Sequence, residues 1–192
     1  MALLIKEFNV VLRTPTYAFQ YFAMSISLPL MVYMCSFLLE SMLSTLTFIN
    51  CNYALAIFVV SMFSILTNTF CTTNISRDGK MFGILKTQPL NIKQIVNAKI
   101  LFCSIVSFVS VLVSSYVLFA TGFLNLTYFL ITFAIGFIFS LVQIAYATRK
   151  DMKNPYFPNN EKEEVVEGNA NMSTLIFVSL IVTILIGGVA VL

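Results

Sequence analysis

The sequence predicts an all-α membrane protein with five transmembrane helices, and three observations lead to this fold class. The 192 residues are 59% hydrophobic and only 10% charged, which leaves too little polar surface to cover a water-soluble globule of this size. Five apolar runs approach or exceed the roughly 20 helical residues that a hydrocarbon core requires. None of these runs contains Asp, Glu, Lys or Arg, and none has the alternating pattern of a membrane β-strand.

The five predicted spans form a single transmembrane domain over residues 1–192. They cover residues 17–39, 53–71, 100–120, 128–147 and 174–192. Two longer connections, residues 72–99 and 148–173, follow the second and fourth spans. The last span reaches only about 29 Å as a helix and ends without a polar flank, so we expect a chain that is truncated at its C-terminus.

Lysine and arginine are confined to alternate connections. Two precede the first span, five lie between the second and third, and four lie between the fourth and fifth. The two short connections, residues 40–52 and 121–127, contain none. Because cytoplasmic connections are enriched in Lys and Arg, this pattern predicts a multi-pass protein of the cell membrane with a cytoplasmic N-terminus and two long cytoplasmic connections.

The sequence offers little chemistry for catalysis. It contains no histidine and no GxxxxGK[ST] phosphate-binding loop, and the four cysteines lack metal-ligand spacing. The spans contain none of the acidic or basic residues that an intramembrane protease or a proton-coupled carrier needs. We therefore predict no enzymatic activity, no cofactor, no metal site and no nucleic-acid partner.

The connection after the second span is basic and amphipathic. Residues 74–99 hold five of the eleven basic residues. A cluster of apolar side chains precedes Pro89, namely Met81, Phe82, Ile84 and Leu85. After Pro89, Asn91 and Gln94 form a capping-box pattern that predicts a helix running on into the third span. Two interpretations remain open at this point: a connector that binds anionic headgroups, or a docking element for a cytoplasmic protein.

Three blocks resemble the membrane permease subunits of bacterial ATP-binding cassette exporters, in particular exporters common in Gram-positive bacteria. They are KEFNVVLRTPTY (6–17), SRDGKMFGILKTQPLNIKQIVNAKIL (76–101) and RKDMKNPYFPNNEKEEVVEGNAN (149–171). The first is similar to the amphipathic element that leads into a transmembrane half. The second is similar to the family's Ser-Arg-acidic-Gly-Lys loop, and the third to its acidic segment ending in Asn-x-Asn. The chain resembles the second set of spans in these longer proteins.

The resemblance implies a permease subunit that forms part of a substrate pathway. The implied partners are a separate ATPase subunit, further permease spans or a second permease chain, and membrane lipid. A coupling helix in the 74–99 loop would transmit movement from the ATPase. Its implied contact residues are Arg77, Asp78, Gly79, Lys80, Phe82, Leu85 and Lys86. The alternative is a non-transporting membrane scaffold or assembly factor whose basic loop binds lipid headgroups or a cytoplasmic protein.

Small and polar residues within the spans predict where helices pack closely. Ser107, Ser110 and Ser114 follow helical spacing in the third span, and Gly136 with Ser140 forms a small-xxx-small pair in the fourth. We expect these contacts to lie within the chain.

Polar groups at membrane depth predict further contacts between helices. Asn68, Gln20 and Gln143 are expected to form interhelical hydrogen bonds. Because tryptophan is absent, tyrosines are expected to lie at the membrane interface. These are Tyr17, Tyr21, Tyr53 and Tyr128.

Overall fold

Helices make up nearly all of the described chain. The computed structural model describes residues 2–43, 52–79, 92–157 and 169–191. Within these ranges no strand is present, and five helices are long and apolar enough to cross a membrane. The prediction of an all-α membrane protein with five spans is confirmed.

An amphipathic helix precedes the first span. Helix α1 covers Ala2–Arg13, and the extended backbone of Thr14 separates it from α2, Pro15–Ala18. Pro15 is suited to the first position of a helix because its missing N–H has no partner there in any case. A π-helical segment, Phe19–Ala23, then leads into α3, Met24–Leu43.

The remaining helices extend beyond the predicted apolar runs. Helix α4, Asn52–Asn68, tightens into the 3₁₀ helix Thr69–Thr73, and the 3₁₀ turn Ser76–Asp78 follows. The last three helices are α5, Ile92–Ala120, α6, Leu126–Lys153, and α7, Ala170–Val191. The predicted continuation of the helix after Pro89 into the third span is confirmed from Ile92 onward. The charged residues Lys99 and Asp151 are therefore helical and belong to the ends of spanning helices.

Helix α4 lies at the centre of the bundle. It contacts α3, α5, α6 and α7, and 72% of its apolar stretch is buried, compared with 28–39% in the other four spanning helices. Those four form an arc around α4, in which α3 contacts α5, α5 contacts α6, and α6 contacts α7. Their outer faces carry large exposed apolar side chains, such as Phe37, Ile138 and Phe177. This distribution is what helices need when lipid surrounds them.

The N-terminal helix and the described residues of both long connections meet at one end of the bundle. The segment after α4 bonds there to the end of α6, the start of α5 and the residue preceding α7. We call this the basic end, because the described Lys and Arg residues of these elements lie there, for example Arg77, Lys99 and Lys153. At the opposite end, the rings of Tyr53 and Tyr128 stack with their centroids 5.1 Å apart.

Two of the tyrosines expected at the membrane interface are instead buried in the core near the basic end. Tyr17 is 3% exposed and Tyr21 is 1% exposed, so their assignment as interface anchors is wrong. The ring of Tyr21 stacks on Phe70 with centroids 4.5 Å apart, and its hydroxyl group donates to the carbonyl of Cys103 at 3.2 Å. A tyrosine whose hydroxyl finds a partner in this way is as well suited to a core as to an interface.

Candidate functional site: a buried polar network at the basic end

Lys99 is a buried charge that joins three parts of the chain. Its ammonium nitrogen lies 3.0 Å from Glu7 Oε1 on α1 and 3.1 Å from Asp78 Oδ2 in the 3₁₀ turn. The three side chains are 1%, 5% and 10% exposed. A charge removed from water is stable only when it is paired in this way. This ion triad, Glu7, Lys99 and Asp78, therefore holds α1 and the turn against α5.

Asp151, near the end of α6, binds the segment that follows α4. Its carboxylate accepts hydrogen bonds from the backbone N–H groups of Ile75 at 2.5 Å and Ser76 at 3.1 Å. The hydroxyl of Ser76 donates a further short hydrogen bond to the same carboxylate. That hydroxyl also accepts from the backbone N–H of Tyr156 at 2.9 Å. Asp151 is fully buried, so hydrogen bonds to its charged oxygens replace the water it has lost.

Asn74 connects the same segment to α6 and to Arg77. Its side-chain amide donates to Thr148 Oγ1 at 2.9 Å, while its amide oxygen accepts from the Arg77 guanidinium at 2.6 Å. The guanidinium carbon of Arg77 also lies 4.3 Å from the centre of the Phe70 ring, a cation–π contact. The guanidinium also donates to the carbonyl of Thr73 at 3.3 Å, so Arg77 is held within the chain by two hydrogen bonds and an aromatic face.

Two asparagines attach the start of α7 to the network. The side-chain amide of Asn169 donates to the carbonyl of Thr72 at 3.2 Å, and its oxygen accepts from the N–H of Asn171 at 2.9 Å. The second bond caps the start of α7, where backbone donors lack helical partners. Asn171 in turn donates to the carbonyl of Asn154 at 2.8 Å. The Asn-x-Asn pattern therefore joins the start of α7 to the 3₁₀ helix that follows α4 and to the residue that follows α6.

A smaller polar cluster lies deeper among the spans. The Asn68 amide donates to Gln143 Oε1 at 2.7 Å, and the hydroxyl of Ser107 donates to Asn68 Oδ1 at 2.7 Å. These bonds join α4, α5 and α6. The expectation of interhelical hydrogen bonds is confirmed for Asn68 and Gln143. It is not confirmed for Gln20, whose side-chain oxygen is buried without a hydrogen-bond partner.

Three of the implied ATPase contacts lie at the edge of the network. Arg77 and Asp78 make the contacts described above, and Gly79 has a φ of +53°, with its N–H bonded to the carbonyl of Ser76 at 3.1 Å. Glycine is favoured at such a backbone conformation because it has no Cβ. Each of the three thus has a role within the chain, and their contact with an ATPase stays a prediction. Lys80, Phe82, Leu85 and Lys86 lie outside the described residues.

The serines singled out in the third span have two kinds of partner. Ser107 and Ser110 bond to other helices, the first to Asn68 and the second to the backbone carbonyl of Ser25 on α3 at 2.7 Å. Ser114 bonds to the carbonyl of Ser110, within its own helix.

The small pair in the fourth span lies at a close helix contact. A Cβ atom added to Gly136 would lie 3.2 Å from methyl carbons of both Val60 on α4 and Val111 on α5. Ser140 is buried and donates to the carbonyl of Phe137 in its own helix at 2.8 Å. Gly136 therefore permits the close approach of three helices.

Sequence reasoning missed Glu7, Asp151 and the pairing of Lys99. A usable signal was present for Asp151, which is the single acidic residue among Arg149, Lys150 and Lys153 at the end of an apolar helix.

Within the described ranges, no group of three metal-ligating side chains comes together. The hydrogen bonds and ion pairs of the network hold the helix ends and the connecting segments in fixed positions relative to one another. No family model, curated protein or solved structure matches this chain.

Proposed function

We propose that this chain is a transmembrane permease subunit of an ATP-binding cassette exporter, in which the 74–99 loop couples the spans to a separate ATPase. One observation carries the proposal: residues at both ends of the loop are joined in a buried ion triad. Asp78 near its beginning and Lys99 at its end are 3.1 Å apart. A connector that only attracted headgroups would need no such buried attachment, since exposed charge alone provides that attraction.

The attachment determines where a force on the loop would act. A displacement of residues 80–91 would be transmitted to α5 through Lys99 and to α1 through Glu7. Through Ser76 it would also be transmitted to Asp151 on α6. Movement of one docking element would in this way shift several helices together, as alternation between two states of a transporter requires.

In this proposal the basic end of the bundle faces the cytoplasm, where ATP is available. The segregation of Lys and Arg supports this orientation. The ATPase subunit supplies hydrolysis, because the chain has no phosphate-binding loop of its own. Further permease spans or a second permease chain complete the substrate pathway.

Co-purification with a co-expressed ATP-binding cassette ATPase from the same organism tests the proposal. Phe82→Ala and Leu85→Ala each remove an apolar anchor and should cost about 1–3 kcal/mol of association. The conservative variant Lys86→Arg is the control and should retain the ATPase. Membrane fractionation checks that all variants insert normally. An unchanged yield for both alanine variants would contradict the proposal and favour a scaffold or assembly factor with a lipid-binding loop.

A further inference from the structure

Helix α1 has an apolar face that the rest of the described chain leaves open. Ile5, Phe8 and Leu12 are 56%, 46% and 48% exposed. Their spacing of three and four residues places them on one side of the helix. This stripe, Ile5, Phe8 and Leu12, is separate from the side that packs on the bundle, where Glu7 and Val11 are buried.

A polar face adjoins the apolar stripe. Lys6, Asn9 and Arg13 are all exposed, and at about 100° per residue they lie side by side around the helix axis. The helix thus presents buried, apolar and cationic faces in turn. A helix lying in the boundary between headgroups and acyl chains has an apolar and a cationic face of this kind.

The rotation of α1 about its axis is determined by contacts on its buried side. Glu7 is held by Lys99 at 3.0 Å and Val11 is completely buried. Phe8 lies at the border between the apolar stripe and this side, and its half-exposed ring makes a T-shaped contact with the Phe102 ring, with centroids 6.4 Å apart. Rotating α1 so that the apolar stripe faced the bundle would break the buried ion pair between Glu7 and Lys99 and leave each charge without the other. The stripe must therefore be covered from outside the described chain.

We propose that α1 is a bilayer-surface helix that inserts Ile5, Phe8 and Leu12 below the headgroups and binds anionic lipid phosphates through Lys6 and Arg13. Two observations favour lipid as the occupant. The cations are complementary to anionic headgroups. The stripe is also followed directly along the chain by the exposed apolar surface of the first span, where Phe19 is 75% and Ile26 is 72% exposed. This inference goes beyond the proposed function and does not depend on it.

The absence of tryptophan from the chain provides a direct test. Phe8→Trp introduces a single reporter into the full chain, which is reconstituted into vesicles of phosphatidylcholine and phosphatidylglycerol with brominated acyl chains. Its fluorescence should be quenched about twofold more strongly than that of Asn9→Trp, the matched control on the polar face. Leu12→Trp provides a second reporter if Phe8→Trp does not yield a monodisperse protein. No quenching of either reporter would overturn the proposal and indicate that protein covers the stripe.

Preference for anionic lipid is measured by placing bromine on one lipid at a time in equimolar vesicles. Brominated phosphatidylglycerol should quench the tryptophan at position 8 more strongly than brominated phosphatidylcholine. The double change Lys6→Gln and Arg13→Gln should abolish that difference while leaving quenching itself in place. Equal quenching by the two lipids in the chain that retains both cations would overturn the assignment of Lys6 and Arg13 to headgroup binding.

Discussion

The hydroxyl group of Ser110 on α5 donates a hydrogen bond of 2.7 Å to the backbone carbonyl of Ser25 on α3. Pro29 lies four residues after Ser25, inside α3, and proline has no N–H to offer that carbonyl. In hydrocarbon a freed carbonyl must find another donor. The neighbouring helix supplies it, beside an apolar cleft of about 500 Å³ that Ser25, Pro29 and Ser110 all line.

Removing this donor should destabilise the protein. We expect Ser110→Ala to lower the free energy of unfolding by about 1 kcal/mol, the usual scale for a hydrogen bond between membrane helices. Thermal unfolding of the purified protein in detergent measures the change. Ser114→Ala is the control, because its hydroxyl bonds only within its own helix, and its cost should be smaller.

The cost of Ser110→Ala should depend on Pro29. In a Pro29→Ala background the new N–H can bond to the Ser25 carbonyl, so the serine hydroxyl is no longer required there. A double-mutant cycle therefore should give a non-zero coupling energy between the two positions. Strictly additive effects would contradict the role assigned to Ser110.

Loss of the central charge of the ion triad should be severe. Lys99→Met leaves Glu7 and Asp78 buried without their partner, and we expect a loss of about 3–5 kcal/mol in the free energy of unfolding. The melting temperature in detergent reports the effect. Lys153→Met is the matched control at an exposed position and should behave like the parent chain. Similar melting temperatures for the two variants would be inconsistent with a structural triad.

Asp151 should protect the segment after α4 from local opening. Asp151→Ala leaves the N–H groups of Ile75 and Ser76 without their acceptor, at a cost of about 1–3 kcal/mol for each buried donor. Limited digestion with trypsin should then cleave at Arg77 earlier than in the parent chain. Met152→Ala, on the exposed side of the same helix, is the control. Unchanged cleavage at Arg77 in Asp151→Ala would show that other bonds hold the segment.

The orientation of the basic end is open to direct labelling. In a cysteine-free background, a membrane-impermeant maleimide added outside intact cells should label Thr45→Cys and should not label Lys153→Cys, because basic connections stay in the cytoplasm. Labelling of both positions after the membrane is permeabilised is the control. External labelling at position 153 would reverse the orientation.

Burial within a membrane protein was harder to predict than membrane insertion. Tyr21 follows charged and polar residues at the start of a span, which is the usual place of an interface anchor, yet it lies in the core with its hydroxyl bonded to Cys103. Asn68 and Gln143 were easier, since an amide within an apolar run has few alternatives to an interhelical bond. Composition shows that a polar group needs a partner, but it rarely shows which one.

The sequence by itself determined the helical class, the five spans and the grouping of Lys and Arg. Each depends on hydrophobicity or charge summed over one short stretch of chain. The ion triad and the Asp151 contacts were decided by the tertiary structure alone. Lys99 and Glu7 are 92 residues apart, and Asp151 and Ile75 are 76 apart. Such pairs form only when the helices that carry them pack at the right relative height and rotation. That packing depends on all the side chains in the interfaces between the helices.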